Sequence, residues 1–185
     1  MKSSEFVDRI IDKYTDNEGL RGLLITHSRH VAGKALEVAR SGGLADKIDC
    51  QFVWDAAMLH DIGIVKCNAP SIYCFGQEPY IRHGVLGGEI LREEGLPEEY
   101  ARVCERHTGS GLSAEDIRSQ NLPLPLRDFL PETPEEKLIC YADKFFSKSG
   151  NPSVEKSRER VITSIRRHGE EALERFFALE KSLFL

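Results

Sequence analysis

Between Leu20 and Arg40 the chain has no proline, and Leu24, Val31, Ala35 and Val38 recur at helical intervals. That spacing places them on one stripe of an α-helix of roughly six turns. A stripe of that length has to be covered by other helices. One of its members is not apolar: His27 lies near its centre, with His30 towards its edge. Gly42-Gly43 ends the run.

The same period returns along the chain. Residues 3–14 form an amphipathic pattern through Phe6, Val7, Ile10, Ile11 and Tyr14. Asp49 caps a helix running to about His60, with Phe52, Val53, Ala56, Ala57 and His60 on one face and Gly63 as a left-handed stop. Residues 82–94 place His83, Leu86, Gly87 and Ile90 together. Pro97, at the N1 position, opens a helix that groups Tyr100, Val103, Cys104 and His107. A short helix follows over 113–120. Thr133-Pro134-Glu135-Glu136 then combines a cap, an N1 proline and an N3 glutamate, ahead of Ile139, Cys140, Asp143 and Phe146 on one face. A last helix is expected over 154–180, weakened at Gly169, with Val161, Ile165, Leu173, Phe176 and Phe177. Phe176, Phe177, Leu183, Phe184 and Leu185 either pack on the domain or present a partner surface.

Residues 64–81, punctuated by Pro70, Gly76 and Pro79, read as a loop. Its aromatics Tyr73, Phe75 and Tyr80 either stack on a base or form the loop's own small core. Strand alternation, internal repeats and low-complexity tracts are not apparent. The expectation is an all-α, single-domain helical bundle over residues 1–185. Its core spans about 20–147, and the helices at about 3–14 and 154–180 pack on it.

Composition limits the function classes. The formal net charge of −5 provides no overall basic footprint, which points to no nucleic acid as partner. No apolar run approaches the ~20 residues of a membrane span, and residues 1–19 lack a signal-peptide core. Five cysteines without a CxxC pair read as reduced thiols, so a cytoplasmic location is expected. Nothing in the pattern specifies an oligomeric state.

The apolar faces share one peculiarity. Five helices each carry a metal-type ligand: His27, the His60-Asp61 doublet, His83, His107 and Asp143. A buried carboxylate is costly unless it is paired or bound to metal. Imidazole and carboxylate are also the ligand set for zinc, manganese and iron. Each residue alone has a structural reading as well. A single histidine can be a hydrogen-bonded core residue, Asp143 a buried cap or salt-bridge partner, and His60-Asp61 a pair at a helix terminus.

With these residues in hand, the chain resembles the HD superfamily of metal-dependent phosphohydrolases from about Leu20 to Ser147. The resemblance rests on His27 in His27-Ser28-Arg29-His30, on His60-Asp61-Ile62-Gly63, and on Asp143 in Tyr141-Ala142-Asp143-Lys144. His83-Gly84 and His107-Thr108-Gly109 look like the second-metal histidines of dinuclear branches. The resemblance implies a first metal on His27, His60, Asp61 and Asp143, and a second on His83 and His107 with Asp61 bridging. The ions would be two divalent or trivalent transition metals, among iron, manganese, cobalt, nickel and zinc. Some dinuclear relatives place a basic residue directly after the His-Asp-Ile-Gly run. Ile64 stands there in this chain, and Lys66 is the candidate to replace it.

The implied activity is hydrolysis of a nucleotide or related phosphate ester by metal-activated water. Asp61, Lys66 and Arg106 are its candidate catalytic residues, and a small-molecule phosphate is its expected partner. Arg82 and Lys144 also flank the ligands. The competing expectations are a mononuclear HD 5′-nucleotidase and a non-catalytic nucleotide-binding module.

Overall fold

The computed structural model describes residues 1–184; Leu185, named above with the C-terminal apolar cluster, lies outside them. Among the described residues are nine α-helices: α1 (Glu5–Tyr14), α2 (Glu18–Ser41), α3 (Cys50–Leu59), α4 (His83–Glu93), α5 (Glu98–Arg106), α6 (Ala114–Ser119), α7 (Pro134–Asp143), α8 (Arg158–Arg166) and α9 (Glu170–Leu183). The all-α expectation holds, and most boundaries fall where the capping residues put them. Asn17 accepts from the Leu20 amide at the head of α2. Asp49 accepts from Gln51 and Phe52 at the head of α3. Thr133 and Glu136 form a reciprocal capping box at the head of α7.

The core has two large parts. Val31, Ala35 and Val38 of α2 meet Leu138, Ile139 and Ala142 of α7 and Leu173 and Phe176 of α9. On the other side, Leu20 and Leu24 join Val7, Ile10 and Ile11 of α1, Met58 and Leu59 of α3, and Ile90 and Leu91 of α4. Helix α2 therefore runs through the molecule with apolar neighbours at both ends, and His27 sits where the two parts join. Phe176 and Leu183 are buried, whereas Phe177 and Phe184 are partly exposed.

Four expectations are corrected. The segment 64–81 is not a plain loop. A 3-10 turn (Ile62–Lys66) leads into β1 (Asn68–Ala69), which pairs antiparallel with β2 (Cys74–Phe75), and a further 3-10 turn (Tyr80–Arg82) leads into α4. Two-residue strands are too short to show alternation in sequence. Of the loop's aromatics, Phe75 is largely exposed, while Tyr80 packs on the second core part. Pro97 is the N-cap of α5 and not its first helical residue.

The expected last helix is two. Gly169, at φ 111°, reverses the chain between α8 and α9. That conformation is open to glycine and strained for other residues. The break lets Val161 and Ile165 of α8, and Leu173 and Phe176 of α9, all reach the same core.

Gly63 is not a left-handed stop, since its φ is not positive. Its role is close approach. A Cβ there would lie 2.0 Å from the His83 carbonyl oxygen and 2.4 Å from the Gly87 nitrogen. The missing side chain lets the start of α4 lie directly against the 3-10 turn that follows His60-Asp61.

Candidate metal centre

The close approach at Gly63 brings His83 to Asp61, and the packing of α4 on α5 brings His107 with it. Gly84 belongs to that packing, because a Cβ there would lie 2.7 Å from the Cys104 carbonyl oxygen. His27 arrives from the middle of α2, His60 and Asp61 from the end of α3, and Asp143 from the last residue of α7. His27, His60, Asp61 and Asp143 bring one ligand atom each within 4.8 Å of one another, and so do Asp61, His83 and His107. All six side chains are buried. The six residues singled out by the sequence as metal ligands thus occupy one place, with Asp61 common to both groups.

The geometry combines pairing with convergence on a point. His27 Nε2 lies 3.0 Å from Asp143 Oδ1 and 3.2 Å from Asp61 Oδ2, and His60 Nε2 lies 3.0 Å from Asp61 Oδ2. Yet His60 Nε2 and both Asp61 oxygens are buried without an angularly acceptable hydrogen bond, as is His27 Nδ1. Buried polar atoms in such numbers without partners call for an explanation. For His60 Nε2 and the Asp61 oxygens, atoms aimed at a common cation supply one; His27 presents Nε2 to the site, so its Nδ1 stands outside that explanation.

The tautomers agree. His60 Nδ1 lies 2.6 Å from the Ala57 carbonyl, His83 Nδ1 2.7 Å from that of Tyr80, and His107 Nδ1 2.7 Å from that of Cys104. A carbonyl only accepts, so each Nδ1 carries a proton and donates it, which leaves Nε2 as the atom that offers a lone pair to the site when the ring is neutral. The Nε2 atoms of His83 and His107 face each other at 3.0 Å, and Asp61 Oδ1 lies 3.3 Å from His107 Nε2. Two lone pairs opposed at that distance suit a shared cation.

Electrostatics sharpen the contrast between the two groups. Burial disfavours charge on His60, but the Asp61 and Asp143 carboxylates outweigh it and push His60 up to about 9. Burial and the neighbouring His107 push His83 down to about 3. Burial likewise lowers His107. Burial would raise both carboxylates, yet the cations around them hold Asp61 and Asp143 well below the usual carboxylate range. The pit is therefore anionic at Asp61 and Asp143, and neutral at His83 and His107.

Two lysines answer that charge. Lys148 Nζ lies 2.7 Å from Asp61 Oδ2 and 3.8 Å from Asp143 Oδ1. Lys144 Nζ lies 2.7 Å from Asp143 Oδ2 and donates to the His107 carbonyl at 2.9 Å. Lys144 was named from sequence as a flanking cation. Lys148 was not, because it lies beyond α7 on an irregular segment where periodicity says nothing; its spacing of one helical turn from Lys144 was the only signal. Lys148, Asp143, Tyr80 and Phe146 line a cleft of about 380 Å³ that opens over the site.

The other candidates lie elsewhere. Arg106 points to Glu132 at 2.8 Å and Glu136 at 3.1 Å. Arg82 pairs with Glu78 at 2.7 Å. Lys66 ends the 3-10 turn, and its backbone carbonyl accepts from Glu78. His30 donates to the Thr26 carbonyl and packs on Phe146, outside both ligand groups. All five cysteines are free thiols, and among the described residues no helix is long and apolar enough to cross a membrane.

Comparison with known proteins adds two kinds of relative. The HD domain family profile matches residues 24–148. The chain is 35% identical over 133 residues to a tRNA (cytidine(56)-2′-O)-methyltransferase of Picrophilus torridus, covering 71% of this chain and 33% of that protein. It is 30% identical over 166 residues to the protein of the same name from Thermoplasma volcanium, covering 89% of this chain and 43% of that protein. An uncharacterised protein of Methanocaldococcus jannaschii is 39% identical over 97 residues, covering 52% of this chain and 50% of that protein. The chain thus spans between a third and a half of the curated relatives it matches. No solved structure matches it significantly.

These names correct the expected activity. A phosphohydrolase of a small nucleotide, with no nucleic-acid partner, does not agree with relatives named as transferases that act on tRNA. The net charge of −5 does not exclude an RNA partner, because it averages over the whole surface, whereas nucleic acid responds to local charge.

Proposed function

This chain belongs to the HD domain family, and on that premise we propose that it serves tRNA ribose methylation as a metal-binding domain that faces the RNA. Methyl transfer itself we assign to the part of the methyltransferase relatives that this chain does not match. The observation that carries the reading is the match to the Thermoplasma volcanium protein, which takes in 89% of this chain and so spans the stretch from His27 to Asp143.

HD domains bind divalent metals, and this donor set of imidazoles and carboxylates fits transition ions. We assign one ion to His27, His60, Asp61 and Asp143 and a second to His83 and His107, with Asp61 shared. Iron, manganese, cobalt, nickel and zinc all accept such ligands. Bound ions supply fixed positive charge at the floor of the cleft, where a phosphate or ribose oxygen of RNA is a matching ligand.

This chain's own residues prepare that floor. The three Nδ1–H donations to backbone carbonyls hold the imidazoles in the ligand tautomer. Tyr80 stacks on His83 with ring centroids 4.8 Å apart and fixes its plane. Lys144 and Lys148 place ammonium groups at the edge of the carboxylates, within reach of an incoming anion. We read α1 and the α8–α9 pair as parts of the same domain, packed on the core that holds the site.

Two measurements test the proposal. Purified, metal-loaded protein should bind an unmodified tRNA transcript in a filter assay. Cells lacking the chain should show reduced 2′-O-methylation at cytidine 56 when tRNA nucleosides are mapped by mass spectrometry. Unchanged methylation together with no tRNA binding would remove the reading.

A further inference from the structure

The acidic charge of this protein is unevenly placed. Residues 144–168 carry seven Lys and Arg against Glu155 and Glu159, a net +5 in a chain whose total is −5. The rest of the molecule is therefore at −10, and the basic segment is the one that leaves the metal centre.

Its geometry is that of a track. The cleft over the metal centre shares Asp143 and Phe146 with a second cleft of about 210 Å³, lined by Lys144, Lys156 and His168. The second shares Lys156 and Ser164 with a third of about 390 Å³, lined by Arg160, Thr163, Arg167 and Glu159. Each cleft thus shares two wall residues with the next, and cations from Lys148 to Arg167 mark the route.

Many surface cations are already neutralised, so pairing decides which are available. Arg158 is held by Glu180 at 2.6 Å, and Arg166 lies 3.7 Å from Glu170. Arg160 and Arg167 make no ion pair among the described residues, and both are exposed. Lys156 makes none either. It donates to the carbonyls of Lys144 and Phe146 at 3.3 and 3.1 Å, which leaves one of its three donors. Arg160 and Arg167 are seven residues apart, hence on one face of α8 and about 10 Å apart along its axis. At that separation two flexible guanidinium groups can reach different phosphates of one strand. Thr163 and Ser164 add hydroxyls between them.

We propose that Lys156, Arg160 and Arg167 form a binding surface for the phosphate backbone of RNA, which leads a strand across α8 to the cleft over the metal centre. The inference rests on the reading that tRNA is the partner and adds where it is held. A solvated helix face with basic residues near its negative end would have the same composition. Shared walls with the metal-centre cleft and the lack of acidic partners for Arg160 and Arg167 favour a ligand surface.

The test is a salt titration of tRNA binding by the full chain, comparing wild type, Arg160→Ala/Arg167→Ala and the surface control Arg9→Ala, with helical content checked by circular dichroism. The double variant should bind about tenfold or more weakly at moderate salt, and its log–log salt slope should be about 2 smaller in magnitude than wild type, one per lost phosphate contact. Arg9→Ala should match wild type. If wild type binds tRNA and the double variant binds with the same affinity and slope, the surface is wrong while the tRNA reading survives. If wild type does not bind tRNA, the surface is wrong, and the tRNA reading falls with it when methylation at cytidine 56 is also unchanged in cells lacking the chain. Arginine-dependent sedimentation with anionic phosphatidylserine vesicles, without arginine-dependent tRNA binding, would also overturn the proposal and point to a membrane surface.

Discussion

His83 and His107 present their Nε2 atoms to each other at 3.0 Å, each with its Nδ1 bound to a carbonyl three residues earlier in its own chain segment. Neither nitrogen has a proton to share in that arrangement, and burial keeps His83 from acquiring one, its value being pushed down to about 3. The pair is a neutral, preformed bidentate ligand.

Replacing both histidines with alanine should therefore remove one ion and leave the other. Elemental analysis of protein purified without chelator is expected to fall from about two ions per chain to about one, the general pattern when one of two ligand groups is lost. Chelation of wild type should lower its melting temperature, since an ion present at 100 times its Kd stabilises the folded state by about 2.7 kcal/mol.

Lys148 stands against Asp61 Oδ2, an oxygen that also belongs to the first ligand group. Its ammonium and a metal ion answer the same negative charge. Lys148→Met should destabilise the metal-free protein by about 3–5 kcal/mol, because a buried carboxylate loses its partner. The same change should raise metal affinity, because the competing cation is gone. Thermal melts with chelator and with metal check both signs: the variant should melt lower than wild type when metal-free, and the gap should shrink or reverse when metal is added.

Gly63 separates the His60-Asp61 doublet from α4 by the thickness of a backbone. Gly63→Ala would place a Cβ 2.0 Å from the His83 carbonyl oxygen. Backbone on both sides cannot yield as a side-chain tip does, so the loss should reach or exceed the upper end of the about 1–3 kcal/mol usual for overpacking. Urea denaturation measures the loss. Metal content should fall with it, because any relief of the clash moves His83 away from Asp61.

Glu180 on α9 accepts from Arg158 at 2.6 and 2.7 Å and from the Tyr141 hydroxyl at 3.1 Å. The Arg158 hydrogen bonds hold its carboxyl below the ordinary glutamate value. A carboxylate depressed in the folded state contributes stability that is full above its unfolded value and is lost as pH falls through its folded value. Stability of wild type should accordingly decline below about pH 4.5, and Glu180→Gln should decline less over that window while being less stable at pH 7. Melting temperatures from pH 7 to pH 3 check the difference in slope.

Much of this protein was legible before any coordinates. A period of 3.6 fixes which side chains share a helix face, so His27, His60, His83, His107 and Asp143 could each be placed on a buried stripe. Local capping chemistry likewise located the starts of α3 and α7, because Asp49 and Thr133 bond to amides within three residues of themselves, whereas α2 starts at Glu18, two residues ahead of the expected Leu20. The HD pattern then joined those residues into one expected site.

What tertiary structure alone decided concerns contacts between distant segments. Lys148 reaches Asp61 across 87 residues of sequence, from an irregular segment that no periodicity describes. Arg106, one residue before a ligand, turns instead to Glu132 and Glu136 because those acids lie ahead of and within the first turn of α7. Gly169 separates α8 from α9 since both apolar faces must reach one core, a requirement set by the space between helices. Local bonding obeys the order of the chain, so it can be read there. Charge pairing and close approach obey distance, and distance is decided only when the helices pack.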